Sequence, residues 1–235
     1  MKKRRKVLLF FVEGSTDRDS LIGILEVLFS EASIRFLIMQ GDFTVGKVNF
    51  THNIRKNLGE LVRSEMKKYG FTQKDMLGLI HLVDTDGVYI PDNCIKVGKG
   101  DHICYGLNDI EHPHPQKIIE RNKQKRQNLE VLKDTQYLLR SIPYFCFYFS
   151  RNLEHVLHNK PEKLSVDEKM DLAIDFSEHF IRCPGEFLEL IEDSQLRAPG
   201  NYSETWEYIK LDTNSLKRFS NFHIAIQKIR CLVNP

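Results

Sequence analysis

The chain lacks any apolar run long enough for a membrane. Its longest runs, Val7 to Val12 and Pro143 to Phe149, reach about a third of the ~20 residues that a spanning helix needs. Cysteine is scarce as well: the five present, at 94, 104, 146, 183 and 231, are odd in number and include no Cys-x-x-Cys pair. That usage speaks against a disulfide framework or a zinc ribbon and fits a reducing compartment. Net charge is only +2, so composition alone implies no polyanion partner, and any such site must come from local clustering. No Gly-x-x-x-x-Gly-Lys-Ser/Thr loop occurs, so an ATP-driven activity would need a separate chain. Internal repeats and low-complexity tracts are missing too. The opening MKKRRK leads directly into VLLFFVEG, too short and too soon acidic for a signal-peptide core, so a cytoplasmic protein with no membrane partner is expected.

What is present is ordinary globular material. Hydrophobic residues at 41% and charged residues at 28% of 235 positions suit one large domain, or a domain of about 150 residues with an appendage. Val7–Val12 is a continuous apolar run of strand length, as in a strand covered on both faces. It stops at Glu13-Gly14, and Leu21, Ile24, Leu25 and Leu28 then recur at helical spacing. Thr16 with Asp19 reads as a short-armed capping box, with Ser15 as the alternative cap. SIRFLIM is a second strand, ended by QGD. Residues 51–69 read as a helix closed by Gly70, and MLGLIHLV as a third strand. Strand, helix, strand, helix, strand predicts a doubly wound, mostly parallel α/β sheet of about four strands. Ligands gather beyond the carboxyl ends of such strands.

Residues 91–116 have no clear period and read as an irregular insertion. A long helix is expected over 116–140, then PYFCFYFS as a fourth buried strand passing into RNLEHVLH. Residues 161–235 read as a helical C-terminal extension, with a final helical tract near 213–231. QKIIERNKQKRQN, residues 116–128, is basic over about three turns and reads either as a solvated helix face or as a polyanion contact.

The chemistry concentrates at strand ends. Asp84 and Asp86 stand two apart where the third strand stops, so both carboxylates face one way if the chain stays extended. Two hard oxygen donors at that spacing suit Mg²⁺, and an Asp-Gly turn is the plain alternative. Glu13 ends the first strand at the same edge. Carboxylates converging there, with no matched base in the motifs, call for a cation. Asp17 is either a further ligand or a first-turn aspartate favoured by the helix dipole. The insertion adds Lys96, Lys99, His102, His112 and His114, which could hold a phosphate or a base. With Cys94 and Cys104 these histidines are spaced too irregularly for zinc. His155 and His158 share a helical face near Glu154, where packing or surface roles are expected.

The combination FFVEGSTDRDSL (10–21) and HLVDTDG (81–87) resembles the TOPRIM domain of topoisomerases, bacterial primases and several nucleases. FSRNLEHVLH (149–158) resembles the Asn-x-x-Glu-type segment of OLD-like and RloB-like nucleases. The resemblance covers roughly residues 5–160 and implies a catalytic domain over 1–160. It implies phosphodiester hydrolysis with Mg²⁺ or Mn²⁺, through two ions, on DNA or RNA. Carried over, Glu13, Asp84, Asp86 and Glu154 are the catalytic and metal-binding set, with Asp17 as a weaker ligand. Lys96, Lys99, Lys123, Lys125 and Arg126 would be nucleic-acid contacts. An antiphage or abortive-infection role alongside a separate ATPase follows from the same resemblance, which is open to a homo-oligomer. Two other readings compete. LVDTDGVYIP also resembles the first motif of the HAD phosphatases, but no later strand ends in paired aspartates and Glu13-Gly14 is left unexplained. A non-catalytic TOPRIM binding module is the third reading, since fold does not imply function.

Overall fold

The computed structural model describes residues 6–30, 32–38, 44, 54–100 and 102–234. In chain order the elements are β1 (Val7–Val12), α1 (Ser15–Leu28), β2 (Ser33–Ile38), α2 (Ile54–Tyr69), β3 (Met76–Asp84), β4 (Ile95–Val97), β5 (Cys104–Tyr105) and β6 (Ile110–His112). Then come α3 (Pro115–Lys133), β7 (Tyr137–Leu138), β8 (Ile142–Phe149), α4 (Leu153–Leu157), α5 (Val166–Arg182), α6 (Pro184–Glu192), α7 (Tyr202–Tyr208) and α8 (Phe222–Val233). The expected QGD strand end and the first residues of the 51–69 helix lie outside the described residues.

The main sheet has the order β2-β1-β3-β8-β7. β1, β2, β3 and β8 run parallel, and β7 adds an antiparallel edge. The alternation of strand side chains divides the core in two. Val7, Leu9 and Phe11 join Leu79, Val83, Tyr144 and Tyr148 against α2 and α3. Leu8, Phe10 and Val12 join Ile80, Leu82, Phe147 and Phe149 against α1 and α8. The unbroken apolar runs of β1 and β8 follow from burial on both faces. Gly70, at φ +64°, ends α2 as expected: Phe71 N–H reaches Met66 O at 2.8 Å and Gly70 N–H reaches Lys67 O at 3.3 Å, the paired bonds of a Schellman cap.

Four expectations need correction. Residues 91–116 are not irregular: β4, β6 and β5 form a second, three-stranded sheet with its own core of Ile90, Ile95, Ile110, Ile118 and Leu216. The helix expected over 116–140 stops at Lys133, and its remainder supplies β7, so the main sheet has five strands. The start of α1 lies two residues earlier than the Thr16–Asp19 box: Gly14 is the cap residue, and Asp17 Oδ2 accepts its N–H at 2.9 Å. The last helical tract begins only at Phe222, after a 3₁₀ turn over Asn214–Leu216.

Residues 161–235 are helical as expected, but they are built into the sheet domain. Phe187, Trp206 and Phe222 are fully covered and belong to the same two core clusters as the strands. Residues 219–221 also satisfy the backbone at the end of β8. Ser150 N–H donates to Phe219 O at 2.8 Å, and Tyr148 N–H to Asn221 Oδ1 at 2.8 Å.

Candidate active site

β1 sits between β2 and β3. From β1 the chain turns into α1 on one face, whereas from β3 it reaches α3 on the other. The crevice between the carboxyl ends of β1 and β3 is therefore the topological switch point, where open α/β sheets bind ligands. Glu13 and Asp84 stand at that point, and Glu13 Oε1 accepts the Asp84 N–H at 3.3 Å.

Past Asp84 the strand does not stay extended. Thr85 turns inward and is fully buried; its hydroxyl accepts Arg151 N–H at 3.0 Å and donates to Ser215 O at 3.4 Å. Asp86 and Gly87 both take positive φ, +48° and +65°, and Val88 N–H closes on Thr85 O at 3.0 Å. This is the φ pattern of a tight mirror-image turn, and it explains the Asp-Gly pair. Asp86 is thus held near Asp84 by a turn locked to the end of β8, where its N–H donates to Arg151 O at 2.9 Å. The plain turn reading therefore describes the backbone here, and the extended geometry expected to aim both carboxylates one way is corrected: Asp86 lies in the turn.

All five carboxylates named by the sequence come together. Burial pushes the Asp84 carboxyl well above the usual carboxylate range, and Glu13, Asp17, Asp86 and Glu154 each push it further. Asp17 is raised to about 6, first by burial and then by Glu154, against the lowering pull of Gly14 N–H and Lys169. Glu154 is only 5% exposed. It follows the Asn152 cap of α4, whose side chain accepts His155 N–H at 2.9 Å.

Two bases that the motifs did not point to lie among these acids. Lys125 is 0% exposed, with Nζ 2.6 Å from Asp86 Oδ2 and 3.9 Å from Glu13 Oε1. Lys169, on α5, places Nζ 2.6 Å from Glu154 Oε1. Burial alone would lower the Lys169 ammonium, but Glu154, Asp84 and Asp17 hold it above its ordinary value. The expectation of unmatched carboxylates is corrected accordingly: two ammonium groups balance part of the charge of five acids. Among the described residues, no three His, Cys, Asp or Glu side chains are disposed to hold a metal ion. In kind, carboxylate oxygens suit a hard divalent cation; burial is the first cause that raises Asp84 and Asp17, and the neighbouring carboxylates add to it.

The proposed nucleic-acid contacts fall into different places. Lys99 and Lys123 are exposed. Lys96 is tied to Asp109 at 2.6 Å, and Arg126 to Asp92 at 3.6 Å. Lys125 is corrected: α3 turns it inward, where its covered ammonium is bound to Asp86. Its spacing with Ile118, Asn122, Leu129 and Leu132, all buried, was the available signal, since those positions share one helical face. His155 is buried and His158 packs edge-on to Phe176 at 4.6 Å. Burial lowers both rings to about 4.

Arg121 escaped the sequence reading altogether. Its guanidinium donates to Asp86 O at 3.1 Å and to Tyr105 Oη at 3.3 Å, joining the second sheet to the Asp86 turn. No helix is long and apolar enough to cross a membrane among the described residues. Comparisons with protein-family models, with curated proteins and with solved structures gave no match.

Proposed function

We propose that the chain is a divalent-cation-dependent nuclease that hydrolyses phosphodiester bonds of DNA or structured RNA. The observation that carries this reading is the convergence of Glu13, Asp17, Asp86 and Glu154 on Asp84 at the switch point of a parallel sheet. A diester is already anionic, so carboxylates alone would repel it, and excess negative charge at the mouth of a ligand crevice makes sense when cations share the site. When bound, Mg²⁺ would orient a water and stabilise charge on the attacking and leaving oxygens.

In this reading Glu13, Asp84 and Asp86 are the oxygen donors nearest the crevice, and Glu154 is a fourth. Lys125 and Lys169 hold the cluster together through Asp86 and Glu154, the same carboxylates that would hold a cation. Arg121 and Thr85 fix the turn that carries Asp86. A separate ATPase chain and an antiphage setting belong to the same proposal and rest on the TOPRIM resemblance alone. The phosphatase alternative gives no role to Glu13, Asp17 or Glu154.

Nucleic-acid cleavage with Mg²⁺ or Mn²⁺ is expected for the purified chain. Asp84→Ala and Asp86→Ala should each lower it by at least about 100-fold, the usual scale for loss of a group that stabilises developing charge, with circular dichroism unchanged. Full activity in the double variant would overturn the proposal. Preferential turnover of a small phosphomonoester, lost first with Asp84, would replace it with phosphatase chemistry.

A further inference from the structure

A cavity of about 580 Å³ reaches the carboxylate cluster at Glu154, where the Glu154–Lys169 pair lines it. Ile103 and Tyr105, at and just before β5 of the second sheet, line it too, as do Lys163 and Leu164 from the segment before α5. Arg151 is a further lining residue. Its guanidinium carbon lies 4.8 Å from the centre of the Tyr105 ring, close enough for a cation–π contact.

Arg151 is unusual in three respects. It is 7% exposed, its Nε has no hydrogen-bond partner, and its backbone takes φ +58°, a conformation that costs an ordinary residue energy and concentrates at ligand sites. One terminal nitrogen donates to Pro161 O; among the described residues no carboxylate lies within ion-pair distance of it, although Glu162 and Asp86 act on it from further away. The neighbouring acids are already matched, Glu154 by Lys169 and Glu162 by Lys160 at 3.8 Å. The cavity therefore carries a guanidinium with no carboxylate in direct contact among the described residues, a lysine ammonium with donors to spare, an aromatic ring and apolar walls. Tyr105 is tied back to the Asp86 turn through Arg121, so the ring and the acids keep a fixed relation.

We infer that this cavity is a nucleotide subsite of the nuclease proposed above: it receives one unpaired nucleotide, its base against the Arg151–Tyr105 pair and its phosphate between Arg151 and Lys169. Bases stack on aromatic rings and guanidinium planes, which a bare anion site would not provide. The volume lies within the range of small-ligand pockets. A paired base reaches such a cavity only by leaving its duplex, so the substrate class is single-stranded or frayed nucleic acid. The inference rests on the nuclease reading for the identity of the neighbouring site.

The test uses the full chain as wild type, Tyr105→Ala and Tyr105→Phe. Binding is measured for single-stranded oligodeoxyribonucleotides and oligoribonucleotides, a blunt duplex, a free nucleoside monophosphate and inorganic phosphate. Single strands should bind more tightly than the duplex. Tyr105→Ala should weaken single-strand and monophosphate binding roughly ten- to a hundred-fold, while Tyr105→Phe stays within about two-fold. No effect of Tyr105→Ala on either type of strand, equal affinity for duplex and single strand, or inorganic phosphate competing as well as the nucleoside monophosphate would each overturn the inference. Hydrolysis of bis(p-nitrophenyl) phosphate reports separately on the catalytic reading. If that ester is cleaved while the Tyr105 effects are absent, the subsite fails alone; if monophosphate binding depends on Tyr105 but no ester is cleaved, the nuclease reading fails alone.

Discussion

Lys125 holds the charge balance of the site in one side chain. Its ammonium is fully covered and bound to the partly exposed Asp86 carboxylate at 2.6 Å, so Lys125→Met leaves that carboxylate unpaired. Breaking one partner of a buried pair costs about 3–5 kcal/mol, and the partial exposure of Asp86 places this one at the low end. In chelator, denaturant unfolding of Lys125→Met should show a loss of that size, and excess Mg²⁺ should recover part of it if the same oxygens accept a cation. An equal loss with and without Mg²⁺ would count against a cation site. Asp17 makes a complementary test through pH. Its carboxyl is raised from 3.8 to about 6 in the folded chain, so the unfolded chain ionises first as pH rises. Stability is unpenalised below about 4, falls between 4 and 6, and carries the full penalty above 6. Asp17→Asn removes the penalty while keeping an acceptor for Gly14 N–H. In chelator the variant and wild type should match near pH 4, and the variant should be more stable by about 3 kcal/mol at pH 8. The buried histidines 81, 155 and 158, lowered to about 3, 4 and 4, act with the opposite sign but are common to both proteins and cancel in the difference. A variant no more stable at pH 8 than at pH 4, relative to wild type, would contradict the crowding of these acids.

At the scale of elements, legibility followed pattern length. β1, α1, α2, β3 and β8 have apolar runs or helical spacings of six residues or more, and those patterns report burial directly. The carboxylates were legible for a related reason: Glu13 and Asp84 each sit where such a run stops, and the end of a buried strand is a defined place. The second sheet was not legible, because β4, β5 and β6 contain two or three residues each and a period of two cannot establish itself over that length. Lys169 was missed because a long-range ion pair leaves no local spacing, and Lys125 was named but turned the wrong way, because a basic run hides which of its positions shares the apolar face. The turn after β3 depends on both levels. Gly87 has φ +65°, and a Cβ there would stand 2.4 Å from Leu216 Cδ2 and 3.2 Å from Ile110 Cδ1. An alanine in the left-handed region costs about 1–2 kcal/mol, and the overlap adds to it. Gly87→Ala should lower unfolding stability by about 2 kcal/mol and reduce cleavage more than that loss explains, because the turn carries Asp86. Stability within about 0.5 kcal/mol of wild type would show that the turn tolerates a side chain.

For the whole molecule, the decisive fact is that the C-terminal helices complete the sheet domain. Leu216 packs in the core of the second sheet, Ser215 O accepts the Thr85 hydroxyl, and residues 219–221 satisfy backbone groups at the end of β8. The same segment therefore supports both strand ends that carry the site. Phe187, Trp206 and Phe222 add three fully covered aromatic side chains to the two faces of the sheet, and removal of one such side chain costs about 3–5 kcal/mol. Three together are comparable to the ~5–15 kcal/mol that stabilises a typical domain. A chain ending at residue 160 would also expose the apolar face left by α8. Such a truncation should show no cooperative thermal transition and should bind a hydrophobic dye, even though it retains Glu13, Asp84, Asp86 and Glu154. A sharp transition near that of the full chain would mean instead that the sheet and its acidic edge fold without the helices that cover them.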